Sequence, residues 1–285
     1  MAHAVSIHVG LNSVDPQQYG GWPGELAACE FDAEDMFAIA TGNGFSATKL
    51  LTKEATSTAL LDALRRASGE LGTGDIFLLT YSGHGGRIPD TSRDEDDELD
   101  ETWVLYDRQF LDDELYAAYA AFAPGVRIAV FSDSCHSGTV TRVGPPAAAG
   151  FVGPGTVQPL PSVGLRSRAM PPALAQGDFL RRRALYESVP AKLPAKGKAG
   201  ATAVDPQACV VLISGCQDNQ FSLDGTRNGL FTATLLTVWN GGQFHGGYRR
   251  FRDRISARMP DTQSPNFYVV GAQDPEFLAQ KPFSV

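Results

Sequence analysis

With 285 residues, 43% of them hydrophobic, the chain has apolar material for one large domain or two small ones. Its formal charge of −8, with the acids gathered in one segment, argues against a nucleic-acid partner. The start, MAHAVSIHVGLN, lacks the basic and apolar stretches of a signal peptide, and no run reaches the ~18 apolar residues that would span a membrane. Four cysteines (Cys29, Cys135, Cys209, Cys216) without a secretion signal read as free thiols in a reducing cytoplasm.

From residue 4 to about 135, apolar runs alternate with helix-period segments, the pattern of a mostly parallel sheet with helices on its faces. Val5 to Val9 predicts a first strand. Residues 24–40 carry Leu26, Cys29, Ala33, Met36, Phe37 and Ala40 at three-and-four spacing and predict a helix ending near TGNG. SATKLL predicts a short strand. TSTALLDALRRAS, opened by a Thr/Ser cap, predicts a second helix with Leu60, Leu61 and Leu64 on one side. Residues 75–82 and 126–134 are the most apolar strand candidates and are expected at the sheet centre. Between them, residues 113–125 predict the crossover helix, with Leu115, Ala118, Tyr119 and Phe122 facing the sheet.

Residues 144–205, rich in Pro, Gly and Ala with scattered Arg and Lys, have linker composition, and only GDFLRRRALYES has room for a helical turn or two. Periodicity resumes with a strand at 208–216, a helix in GLFTATLLTVWNGG, a basic amphipathic helix with Phe251, Ile255 and Met259 inward, and a last strand at NFYVVG.

Two apolar strands end on small-residue turns that carry one reactive side chain each: His84 in TYSGHGG and Cys135 in FSDSCHSG. Functional residues of open parallel sheets gather beyond the carboxyl ends of the strands, so these two are expected to meet. A thiol with a pKa near ~8.5 is mostly protonated at neutral pH, and an imidazole can take its proton. The glycines flanking His84 allow close backbone approach and unusual dihedrals and are expected to leave the ring at an exposed tip. Ser134, Ser137 and Gly138 leave the thiol uncovered. The pair reads as Cys–His acyl transfer. His136 is the rival base, but adjacent strand residues point to opposite sides.

FLLTYSGHGG and VFSDSCHSG, followed by LISGCQDNQFSLDGTRNGLFTATLL and MPDTQSPN, resemble the metacaspases of the caspase-like cysteine peptidases (family C14, clan CD), in particular the bacterial orthocaspases. The resemblance covers nearly the whole chain outside the linker. It implies an α/β caspase-haemoglobinase fold: a mostly parallel six-stranded sheet flanked by helices on both faces. Residues 1–143 would form the large-subunit-like part, 144–205 a flexible linker and 206–285 the small-subunit-like part of one domain. It also implies a His84/Cys135 dyad, an oxyanion site at the backbone N–H groups of Gly85 and Cys135, and cleavage after Arg or Lys. The pocket for a basic P1 side chain is implied at Cys29, Asp32, Ser82 and Asp133, whose carboxylates would pair with it and disfavour the aspartate taken by true caspases. The alternative is a non-catalytic caspase-like binding module that recognises basic segments, against which the intact dyad argues.

Asp94–Asp97, Glu98, Asp100 and Glu101, with Asp112 and Asp113 following, are hard oxygen ligands at a density that suits calcium, although EF-hand spacing is absent. The resemblance implies calcium at Asp100, Asp112 and Asp113; the peptidase chemistry itself requires no cofactor. An exposed linker containing Arg166, Arg168, Arg181, Arg182, Arg183, Lys192, Lys196 and Lys198 would suit an Arg/Lys-specific peptidase, so self-cleavage is expected there, with Arg166, Arg168, Arg183 and Lys192 as candidate sites. The expected protein is a cytoplasmic monomer acting on proteins or peptides with a basic P1 residue, without nucleic-acid or membrane partners.

Overall fold

The computed structural model describes residues 2–90, 99–134, 151–153, 156–158, 166–192, 206–216 and 222–285. Eleven strands form among them: β1 (Ala4–Gly10), β2 (Ser46–Leu51), β3 (Ile76–Ser82), β4 (Gly85–Pro89), β5 (Leu99–Val104), β6 (Gln109–Leu111), β7 (Arg127–Asp133), β8 (Phe151–Gly153), β9 (Thr156–Gln158), β10 (Cys209–Ser214) and β11 (Asn266–Gly271). The helices are α1 (Cys29–Gly42), α2 (Ser57–Glu70), α3 (Asp112–Ala120), α4 (Pro172–Arg181), α5 (Arg183–Lys192), α6 (Leu230–Trp239), α7 (Tyr248–Ser256) and α8 (Pro275–Ala279).

Six strands make the central sheet in the order β11-β10-β7-β3-β1-β2, all parallel except the antiparallel edge strand β11. The two most apolar segments are its middle pair: every residue of β3 is buried, and every residue of β7 except Arg127. A strand covered on both faces needs this composition. On one face Leu60 and Leu64 of α2 and Leu115 and Tyr119 of α3 pack on Val9, Phe77, Leu79 and Ile128. On the other, Met36 of α1, Leu235 of α6 and Phe251 and Ile255 of α7 pack on Leu78, Ala129, Phe131 and Ile213. Each fully buried Leu, Ile or Phe contributes roughly 1.5–3 kcal/mol by leaving water. The expected caspase-like α/β layering is therefore present, and no described helix is long and apolar enough to cross a membrane.

Three features differ from the sequence expectations. Helix α1 starts at Cys29, not at 24, and side chains take the N–H groups leading into it: Asp224 accepts from Ala27 and from the N-cap residue Ala28, and Asn12 from Cys29 and Glu30. Gly85–Pro89, Leu99–Val104 and Gln109–Leu111 build a small antiparallel sheet, β4-β5-β6, which short strands without clear alternation did not announce. Residues 172–192, read from composition as linker, form α4 and α5, anchored by buried Ala175, Asp178, Phe179 and Tyr186. Asp178 holds Arg182, Gln109 Nε2 and the Tyr186 hydroxyl, which ties these helices to β6.

His8, on the α1 face of β1, lies buried between Thr80 Oγ1 (2.9 Å) and Ser6 Oγ (2.9 Å). Burial, with Lys49 nearby, lowers its pKa to about 3. Below pH 6.5 the unfolded chain therefore binds a proton that the native state refuses, and stability is lost as pH falls toward the folded value. Chemical denaturation of the wild type is expected to show about 2–3 kcal/mol of this loss between pH 7 and about 4.5, and His8→Gln, which cannot charge, should flatten that part of the curve. Parallel curves would contradict a neutral buried imidazole.

Candidate active site

His84 sits in the turn between β3 and β4, and its backbone is fixed before its ring is considered. Its carbonyl accepts from the Tyr81 hydroxyl (2.6 Å) and from Val104 N (2.9 Å), while Tyr81 stacks on Trp103 with ring centroids 4.3 Å apart. The ring lies under Trp22, centroids 4.8 Å apart, with Nε2 3.1 Å from the Gly24 carbonyl. A carbonyl can only accept, so Nε2 carries the proton and Nδ1 presents its lone pair. Nδ1 is buried and makes no hydrogen bond among the described residues. Burial lowers the His84 pKa to about 4, with the charges of Arg168 and Arg166 adding to the depression, against the opposing pull of the Gly24 carbonyl and of the Arg168 main chain. At neutral pH the group is a neutral base.

The ring is therefore buried, not at an exposed tip, because Trp22 and Gly24 cover it. The neighbouring glycines serve by lacking a side chain, since neither Gly83 nor Gly85 has a positive φ. A Cβ on Gly83 would stand 2.5 Å from the Tyr81 hydroxyl that holds the His84 carbonyl. Gly24 does need its freedom: its φ is +54°, and a Cβ would press on Trp22 and Val14 at 3.1 and 3.2 Å. Gly24 was assigned to the first helix by periodicity, and nothing in the sequence pattern marks its carbonyl as a partner of His84.

Cys29, Asp32, Ser82 and Asp133, drawn from three separate segments (α1, β3 and β7), lie together. Ser82 Oγ donates to Asp32 Oδ2 (2.7 Å), and all four are buried. Each carboxylate is held by fixed donors. Asp32 accepts from Gly229 N and Asn228 Nδ2; Asp133 accepts from Thr232 N (3.1 Å), Thr232 Oγ1 (2.8 Å) and Ser222 Oγ (2.5 Å). A third carboxylate, Asp224, joins them while accepting from Ala27 N (2.7 Å). Asp224 lies in a loop of the C-terminal part, where an acid carries no periodicity signal. Burial raises the Asp32 pKa to about 6 despite the opposing charge of Arg168, and pushes the Cys29 thiol up so that it stays protonated.

Arg168 fills this pocket with 0% of its surface exposed. Nη2 pairs with Asp32 Oδ2 (2.8 Å) and Asp224 Oδ1 (3.0 Å); Nη1 reaches Asp133 Oδ2 (3.0 Å), the Asp133 carbonyl (3.2 Å) and Ser82 Oγ (2.9 Å). Burial alone would depress its pKa; the carboxylates of Asp133, Asp32 and Asp224 outweigh that and hold it charged. Around it the main chain is extended. Asp224 N donates to the Arg166 carbonyl (2.9 Å), Arg168 N to the Ser222 carbonyl (3.0 Å), Gly85 N to the Arg168 carbonyl (2.9 Å) and Met170 N to the Gly85 carbonyl (2.7 Å). Residues 166–170 thus lie as a strand between the loop at 222–224 and β4, with the Arg168 carbonyl on the N–H that follows His84. Gln263, from MPDTQSPN, braces that loop through Ser222 Oγ (3.0 Å) and Leu223 N (3.3 Å).

Of the other sites expected from sequence, Cys135, and His136 beside it, lie outside the described residues. Arg166 points outward to Glu25, and Arg183 lies within α5, paired with Glu187. Lys192 is the last residue of α5. Asp100 is buried on β5, while Asp112 and Asp113 open α3. Among the described residues no three His, Cys, Asp or Glu side chains gather as a metal site, so the three expected calcium ligands do not form one by themselves.

A parallel α/β sheet with a buried, proton-accepting histidine beside an acidic pocket defines the caspase-like class of hydrolase folds. The caspase domain model of peptidase family C14 matches residues 14–283, and the chain belongs to that family. It is similar to metacaspase-1 of Mycosarcoma maydis (32% identity, 82% of this chain and 62% of that one) and to metacaspase-1 of Kluyveromyces lactis (29%, 81% and 56%). The chain thus matches little more than half the length of these relatives. The crystal structure of protein GSU0716 from Geobacter sulfurreducens is similar over 99% of both chains, with 47% identity and a TM-score of 0.83.

Removing the guanidinium would leave three carboxylates buried together. Arg168→Met is expected to destabilise the protein at pH 8 by about 3–5 kcal/mol, the range for breaking one side of a buried ion pair. Asp32 already has a raised pKa; without Arg168 it rises further, so the folded variant binds protons more readily and regains stability as pH falls. Denaturation at pH 8 and 5.5 reads this, and a small, pH-independent loss would contradict it.

Proposed function

We propose that the protein is a cysteine endopeptidase that cleaves after arginine or lysine and whose own Arg168–Ala169 bond is its first substrate. One observation carries this reading: Arg168 is buried among three carboxylates while its carbonyl accepts from Gly85 N at 2.9 Å. Main-chain pairing of residues 166–170 on both sides of that carbonyl is how an extended peptide is held against a sheet edge.

In this reading His84 Nδ1 takes the proton of the Cys135 thiol, and the thiolate attacks the Arg168 carbonyl carbon. The C=O pair moves onto oxygen, where the Gly85 N–H stabilises it. Collapse breaks the C–N bond as the imidazolium returns its proton to the Ala169 nitrogen; water then repeats the sequence to free the Arg168 carboxylate and the thiol. The Gly24 carbonyl keeps Nε2 protonated, so the lone pair stays on the nitrogen that works. Buried carboxylates favour a cationic P1 side chain and repel aspartate. Arg166 and Arg183 are weaker candidates, the first because its side chain lies outside the pocket, the second because a helical peptide cannot take the extended pose.

The test is turnover of fluorogenic peptides carrying Arg, Lys, Asp or Asn at P1, by wild type and by Cys135→Ala, with calcium and with chelator. Turnover confined to the Arg and Lys peptides and lost in the variant is expected; cleavage after Asp or Asn, or retention in Cys135→Ala, would refute it. Calcium is included as the expected activator, and no step of the chemistry above passes through the ion.

A further inference from the structure

An acidic pocket alone does not choose between arginine and lysine; the placement of its acids at the tip of Arg168 does. Nη1 takes the Asp133 carboxylate, the Asp133 carbonyl and Ser82 Oγ, while Nη2 takes Asp32 and Asp224. Nε makes no hydrogen bond among the described residues, and the recognition seen there is concentrated on the two terminal nitrogens. Gly229 forms the wall beside the guanidinium plane: a Cβ there would stand 2.6 Å from Cζ and from both terminal nitrogens. A flat, forked cation fits this slot. Lysine ends one bond earlier, carries a single nitrogen and cannot span acids on two diverging arms.

We infer that Asp224 is a specificity-determining residue that makes this pocket select arginine over lysine, resting on the reading of Arg168 as the P1 residue. Asp224 is suited to the task because its carboxylate has backbone partners besides the guanidinium. Its Oδ2 accepts from Ala27 N (2.7 Å) and its Oδ1 lies 3.3 Å from Ala28 N, contacts that orient Oδ1 toward Nη2. The positive end of α1 lies on this carboxylate and holds its charge. Asp133 and Ser82 serve the other arm, Nη1. Asp224 shares Nη2 with Asp32, and its loss should be registered more by an arginine, which places a second nitrogen there, than by a lysine, which has one nitrogen and ends a bond earlier.

The experiment is Asp224→Asn assayed on matched Arg and Lys peptides. The amide keeps the size and an oxygen for Ala27 N but turns a donor toward Nη2. Wild type is expected to favour arginine by at least about tenfold; the variant should lose about 10- to 100-fold in kcat/KM on arginine, mainly through KM, and only a few-fold on lysine. A purely structural role would depress both substrates alike, and an unchanged Arg/Lys ratio overturns the inference while continued turnover of both leaves the P1 reading standing. Failure of wild type to cut either peptide overturns both. A second measurement needs no turnover: Arg168→Lys, made in Cys135→Ala, should lower the melting temperature, and the same swap made in Cys135→Ala with Asp224→Asn should lower it clearly less. Equal shifts in the two backgrounds contradict the inference.

Discussion

A single guanidinium buried among three carboxylates governs the arrangement of this molecule. Charges taken out of water are costly unless matched by partners already in place, and here every partner is fixed by the fold. Asp32 is held by the chain entering α6, Asp133 by Thr232 and Ser222, and Asp224 by the backbone entering α1. The pocket is thus a junction of the first helix, the central strand β7 and the loop before α6. Because those elements are far apart in sequence, the ion cluster also joins the N-terminal and C-terminal portions of the chain.

The same geometry connects recognition to chemistry. The strand that carries Arg168 into the pocket is paired through Gly85, whose N–H follows the residue bearing the base. The loop that Asp224 grips at Ala27 also presents the Gly24 carbonyl that sets the His84 tautomer. Holding the Asp224 carboxylate and orienting the imidazole are therefore tasks of one loop between β1 and α1, with Trp22 against the ring. The segment at residues 166–170 thus satisfies the acidic pocket with its Arg168 side chain and pairs its main chain with Gly85.

Much of this was legible in the sequence because it rests on pattern. Predominantly apolar β3 and β7 announce central parallel strands, SATKLL and NFYVVG match β2 and β11 residue for residue, and the motif positions Cys29, Asp32, Ser82 and Asp133 lie close together. What the sequence hid depends on tertiary geometry. Gly24 contributes a carbonyl, Asp224 is an acid in a loop, and both look like surface residues in one dimension. Helices α4 and α5 were obscured by a Pro- and Ala-rich composition, although buried Phe179 and Tyr186 give them a packed face. Arg168 stood among several basic linker residues, and only the depth of the pocket separates it from Arg166 two positions earlier.

The most direct test of the account is the position of the first self-made cut. Wild type incubated alone and read by intact mass and N-terminal sequencing should yield a fragment beginning at Ala169, while Cys135→Ala remains one chain. A first cut at another basic residue, or the same cut in Cys135→Ala, would contradict the claim that Arg168 occupies the pocket as a substrate.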